Sequence, residues 1–140
     1  MQPFDQTTFT NAFIRTLEVD PTEDQLKAIR LLSAFISGDN SHRTFLLKGY
    51  AGTGKTTLMA AITKIIPRFI LLAPTGRAAK VLSGYSGFAA STIHRHIYKI
   101  ASTADGNFKM VKNENKFVYT VFIVDESSLC RRCCPKCRVT

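Results

Sequence analysis

Apolar positions fall first at helical spacing and later in short unbroken runs. Phe9, Phe13 and Leu17 stand at i, i+4 and i+8 and predict one buried helix stripe in the weakly patterned stretch 1–20. Asp20-Pro21-Thr22 opens a clearer helix. Thr22 with Gln25 three residues on makes a capping-box pattern, and Leu26, Ile29, Leu32, Phe35 and Ile36 form the face to be buried. Gly38 ends that helix, and Asp39-Asn40-Ser41 reads as a turn. The period then changes. Residues 44–48 predict a first strand, and the continuous runs Phe69–Ala73 and Val121–Val124 predict strands of a parallel sheet covered on both faces.

Helices are predicted between them. One runs over 55–66 and is stopped by Pro67; a short one covers 77–82, ahead of a glycine-rich loop at 83–88; another is capped by Ser91 or Thr92 and reaches about Ile100. Residues 102–119 are polar, with turn signals at Asp105-Gly106 and Asn113-Glu114-Asn115. They predict a hairpin that pairs 108–111 with 116–119. Strand–helix–strand alternation makes this an α/β domain with a mainly parallel sheet.

Between the first strand and its helix lies Gly49-Tyr50-Ala51-Gly52-Thr53-Gly54-Lys55-Thr56, a complete G-x-x-x-x-G-K-[ST] phosphate-binding loop. A glycine-rich turn that opens a helix points successive backbone N–H groups into one concavity, and the helix start adds partial positive charge. Gly49, Gly52 and Gly54 give the chain the freedom to make that turn, Lys55 reaches the β/γ-phosphates, and the Thr56 hydroxyl is a ligand for Mg2+. Thr53 completes the loop, and Thr57 offers a further hydroxyl in the first helical turn. The chemistry implied is binding of a nucleoside triphosphate such as ATP.

An apolar strand ending in Asp125-Glu126 supplies what such a loop needs opposite its metal. Asp125 would hold Mg2+, and Glu126 would orient or deprotonate the attacking water. The segments 49–57, 73–82 (Ala-Pro-Thr-Gly-Arg-Ala-Ala-Lys-Val-Leu), 91–94 (Ser-Thr-Ile-His) and 123–128 (Ile-Val-Asp-Glu-Ser-Ser) occur in this order. Together they resemble superfamily 1 DNA helicases of the type that includes the exodeoxyribonuclease V alpha subunit. The resemblance covers about residues 20–128. It implies a RecA-like P-loop NTPase domain of three layers, incomplete at its C-terminus, and 5′→3′ tracking on single-stranded DNA. It also implies that Gln25 reads the adenine edge, that Thr75 and Arg77 hold the DNA backbone, and that Thr92 and His94 belong to a second DNA-side motif. For Gln25 the capping box is a competing role, and for Thr92 and His94 so are a helix cap and a packed histidine. The hairpin at 102–119 resembles a small insertion that guides or splits DNA, with Phe108, Phe117 and Tyr119 placed either to stack bases or to pack the strands.

Composition changes the picture in two places. The net charge of +9 suits a polyanionic partner, but the four basic residues of the last eleven account for much of it, leaving +5 for residues 1–129. All four cysteines (Cys130, Cys133, Cys134 and Cys137) sit in that same segment. A frameshifted or truncated reading frame, a metal site and an exposed redox-sensitive tail are the three readings of it. Adjacent Cys133 and Cys134 weigh against tetrahedral zinc. The expectation is therefore a nucleotide-binding domain over 1–128, followed by a tail at 129–140 foreign to the fold. No apolar run is long enough to span a membrane, and the N-terminus lacks a signal-peptide layout, so the expected location is cytoplasmic. Such a chain is expected not to unwind DNA alone. The alternatives are a nucleotide- or DNA-binding module without turnover and another P-loop ATPase.

Overall fold

The computed structural model describes residues 5–38, 44–102 and 106–126. Expectations that fall on Asp39-Asn40-Ser41, Asp105, Ser127-Ser128 and the cysteine-bearing tail lie outside these residues. The chain divides into two compact units, Met1–Pro67 and Arg68–Thr140.

The regular elements of the first unit are three helices: α1 (Gln6–Thr16), α2 (Glu23–Ser37) and α3 (Lys55–Thr63). Asp5 starts α1, its carboxylate accepting the Thr8 N–H at 3.1 Å. Thr22 starts α2 with both halves of the capping box in place. α1 packs on α2 and α3, and Phe9 and Phe13 are buried as their spacing predicts, while Leu17 is half-buried just past the helix end. α2 buries Ile29 and Ser33 fully and the rest of its predicted face by half. Apolar patterning does not reveal Ser33, whose hydroxyl is satisfied inside the helix by donating to the Ile29 carbonyl at 2.7 Å.

The predicted strand over 44–48 is not one. The segment has no regular structure, no described strand pairs with it, and Leu46 is left 43% exposed. An apolar run becomes a strand only where a neighbour takes up its N–H and C=O groups. α3 also stops short of the predicted 55–66, giving way to a turn after Thr63, although Ile66 remains buried.

The second unit is α/β. Its elements are β1 (Phe69–Ala73), α4 (Gly76–Ser86), β2 (Ala90–Thr92), α5 (Ile93–Ile97), β3 (Tyr98–Ser102), β4 (Phe108–Lys112) and β5 (Val121–Val124). β2, β1 and β5 form a three-stranded parallel sheet in that order, with Leu72 opposite Ser91 on one side and Val124 on the other. α4 packs on β1 and β2 and buries Ala79, Leu82 and Ser86 against them. It is longer than the predicted 77–82 because Gly84 is carried within the helix and Gly87, at φ +74°, makes the left-handed stop instead.

The hairpin is real but differently paired. β4 runs antiparallel to β3, from Tyr98 opposite Lys112 to Ser102 opposite Phe108, while 116–119 stays outside any strand. It therefore occupies 98–112, where 102–119 was expected, and the helix predicted to reach Ile100 ends at Ile97. The reason is that 98–102 find their hydrogen-bonding partner in 108–112, which leaves 116–119 without one in any described strand. Asn113 then closes the open end, its N–H donating to the Ile97 carbonyl at 2.6 Å. Among the described residues no helix is long and apolar enough to cross a membrane.

Phe13 is fully enclosed where α1 meets its neighbours. Phe13→Ala is expected to lower unfolding free energy by about 3–5 kcal/mol in chemical denaturation. A loss under about 1 kcal/mol would remove α1 from the core.

Candidate functional site

Four of the five helix starts among the described residues are capped by their own side chains: Asp5, Thr22, Thr75 and Thr92. The exception is α3. Its N-cap is Gly54, at φ +82°, and no side chain bonds its first amides. The first N–H groups of a helix have no partner within it, so an uncapped start that faces water is a ready anion site.

The phosphate loop just before it is tied down through its carbonyls. The Lys55 ammonium donates to the Gly49 carbonyl at 2.8 Å and the Tyr50 carbonyl at 2.6 Å. The Tyr50 carbonyl also accepts the Thr53 hydroxyl at 2.9 Å and the Thr53 N–H at 3.4 Å. Lys55 Nζ has three protons, so one is left for a ligand oxygen. A side chain at Gly49 would meet Thr53 Oγ1 at 2.8 Å, and one at Gly54 would overlap Gln25 Nε2. Gly52, at φ +79°, has open space around it and is glycine for its backbone angle alone. Thr56 is half-buried and its hydroxyl makes no hydrogen bond within the described residues; Thr57 is exposed.

Gln25 is reached by two elements at once. Its Oε1 accepts the Thr22 N–H at 3.0 Å, and its Nε2 donates to the Thr53 carbonyl at 3.1 Å. The capping box read from sequence is thus present, together with a contact to the loop that local spacing does not reveal. The Tyr50 carbonyl was equally hidden, because a backbone group acting from a variable position leaves no mark in the residue type.

In the second unit the remaining candidates gather along one edge of the parallel sheet. β1 ends before Thr75, β2 ends at Thr92, and β5 ends before Asp125, whose N–H donates to the Leu72 carbonyl at 3.0 Å. The carboxyl ends of parallel strands are where α/β sheets bind ligands. The Thr75 hydroxyl caps α4 by accepting the Ala78 N–H at 3.2 Å, and the Thr92 hydroxyl caps α5 by accepting the Arg95 N–H at 3.2 Å. Arg77 is exposed in the first turn of α4. His94 is exposed, its ring 5.5 Å from that of Tyr98, so it is no packed core histidine. Asp125 Oδ1 accepts the Glu126 N–H at 2.9 Å, and Glu126 sits at φ +50°, an uncommon angle for a residue with a side chain. Among the described residues no cluster of three or more His, Cys, Asp or Glu side chains is placed to hold a metal. Phe108 on β4 and Tyr119, which lies beyond the ribbon, are 80% and 75% exposed, which leaves the strand-packing role unfilled by either.

Residues 22–132 match the AAA domain family. An uncharacterized protein of Acanthamoeba polyphaga mimivirus is 36% identical over 135 residues, 77% of this chain and 27% of that protein. The ATP-dependent DNA helicase dda of Enterobacteria phage T4 is 42% identical over 80 residues, 54% of this chain and 18% of the helicase. An uncharacterized protein of Methanocaldococcus jannaschii is 30% identical over 123 residues, 76% of this chain and 10% of that protein. The chain therefore spans between 10% and 27% of the length of these curated relatives. No solved structure gives a significant match.

Gly54 carries two demands, a left-handed backbone and room for the Gln25 amide. Gly54→Ala is expected to cost about 1–2 kcal/mol of stability from the backbone angle alone. In titrations with a fluorescent ATP analogue its affinity should fall as well, and unchanged affinity would dissociate the loop from nucleotide binding.

Proposed function

The chain belongs to the AAA domain family, and from that membership we propose that it is the ATP-binding portion of an ATP-dependent DNA helicase. The observation that carries the reading is the uncapped start of α3, with the Lys55 ammonium drawn across the loop in front of it. In this reading the amides of Gly52 and Gly54 and the start of α3 take phosphate oxygens, and Lys55 neutralises the charge that grows on them during transfer. Gln25 keeps one amide proton and one lone pair, which is what a bidentate contact with adenine requires.

The Thr56 hydroxyl, in the first unit, and the Asp125 carboxylate, in the second, are each a hard oxygen donor of the kind Mg2+ takes. Bound Mg2+ would supply charge neutralisation at the phosphates. Glu126 would orient the attacking water and accept its proton.

For DNA, the reading extends to Thr75, Arg77, Thr92 and His94 as contacts to the backbone of a single strand. The two threonine hydroxyls accept helix amides and keep their own protons to donate to phosphate. The name of the phage relative supports the helicase assignment. Movement in the 5′→3′ direction and the exodeoxyribonuclease V alpha type rest on the order of the motifs, and the reading sets the chain in the cytoplasm. Binding without turnover is the second reading. It is favoured by the Asp125 carboxylate, which is turned onto the amide of Glu126.

ATPase assays with and without single-stranded DNA, beside Lys55→Ala, separate the two. DNA-stimulated hydrolysis that falls about 100-fold or more in the variant supports the enzyme. Nucleotide binding with no hydrolysis supports the module, and no nucleotide binding defeats both. Thr75→Asp keeps a helix-capping oxygen while placing a negative charge against phosphate. It should leave the melting temperature in place and weaken single-stranded DNA binding; unchanged binding would remove Thr75 from the DNA contacts.

A further inference from the structure

We propose that Gln25 is a positioning residue for the phosphate loop, acting on the triphosphate of any nucleotide through the Thr53 carbonyl. The inference rests on the nucleotide reading above and deepens it. The Gln25 side chain bonds in two directions, with Oε1 on the Thr22 N–H three residues before it and Nε2 on the Thr53 carbonyl 28 residues after it. Only one orientation of the amide satisfies both, since Thr22 offers a donor and Thr53 an acceptor. Its plane is therefore fixed from two sides.

What that fixes next is the peptide between Thr53 and Gly54. A trans peptide is planar, and its C=O and N–H point in opposite directions. Tethering the Thr53 carbonyl to Gln25 therefore aims the Gly54 N–H the other way. Gly54 is the N-cap of α3, the one helix start among the described residues that no side chain caps. The approach is close enough that any Cβ on Gly54 would overlap Gln25 Nε2, so glycine at that position and glutamine at 25 are parts of one arrangement. A residue outside the loop thus sets the direction of an amide inside it. A role limited to reading adenine would not touch the phosphates at all.

The test uses the full chain and two probes, inorganic tripolyphosphate and ATP, titrated into wild type, Gln25→Met and Thr22→Ala. Thr22→Ala weakens the cap of α2 and leaves the Gln25 tether. The expected result is that Gln25→Met weakens both probes by the same factor, about fivefold or more, while Thr22→Ala shifts neither by more than about twofold. Hydrogen exchange of the amides at 53–56 should quicken in Gln25→Met alone. If Gln25→Met weakens ATP and leaves tripolyphosphate unchanged, the residue reads the base and the inference is overturned. It is also overturned if Thr22→Ala weakens both probes as much, because the effect is then helix stability. A wild-type chain that binds neither probe overturns the nucleotide reading itself, and this inference with it. Should Gln25→Met fail to fold, Gln25→Glu keeps the acceptor for Thr22, lacks the donor to Thr53, and is expected to weaken tripolyphosphate; unchanged affinity there overturns the inference equally.

Discussion

A helix begins with backbone N–H groups that nothing inside it can satisfy, and the way each start is met decides what it is free to do. α1, α2, α4 and α5 spend a side-chain oxygen on the problem. α3 does not, and a capping oxygen there would stand where an anion would sit. The loop before α3 still has to be held, and it is held by the opposite set of groups. Lys55 takes the carbonyls of Gly49 and Tyr50, and Gln25 takes that of Thr53. Loop carbonyls occupied by side-chain donors and a helix start left without a side-chain cap is the polarity a phosphate needs, and it arises from hydrogen-bond accounting before any ligand arrives.

The second unit reaches a comparable result through topology. Parallel strands joined by crossovers must all end along the same edge. With β1 between β2 and β5, that edge brings the segments bearing Thr75, Thr92 and Asp125 into register, although they lie up to fifty residues apart in the chain. The turn that follows β5 is held by the Asp125 carboxylate on the next amide, and Glu126 takes an angle few side-chain-bearing residues adopt. Backbone strain at a carboxylate placed beyond a strand end belongs with the residues whose position matters more than their comfort.

Much of this was legible because it is local. The stripe of Phe9 and Phe13, the capping box at Thr22 and Gln25, and the runs Phe69–Ala73 and Val121–Val124 each carry their own evidence in spacing or side-chain chemistry. What failed depends on a partner. Residues 44–48 have the composition of a strand and no neighbour to pair with. Residues 98–100 follow a capped helix start and read as its continuation, yet 98–102 pair with 108–112. The Gln25 tether to Thr53 was invisible for the same reason, since spacing reports neighbours three or four residues apart and this one lies much farther along the chain.

The threonines at the sheet edge show why structural and functional readings of one residue need not compete. A hydroxyl that accepts an amide N–H still has a proton of its own and a second lone pair. Thr75 and Thr92 therefore satisfy α4 and α5 while retaining a donor for a phosphate oxygen. The capping bond also narrows where that donor can point, since the oxygen is fixed by the helix start and only the proton turns. A loop threonine would lose more side-chain freedom to make the same contact. In the proposed DNA reading the cap would serve as preorganisation: α4 and α5 restrict the hydroxyls beforehand, which would lower the entropic cost of gripping a strand.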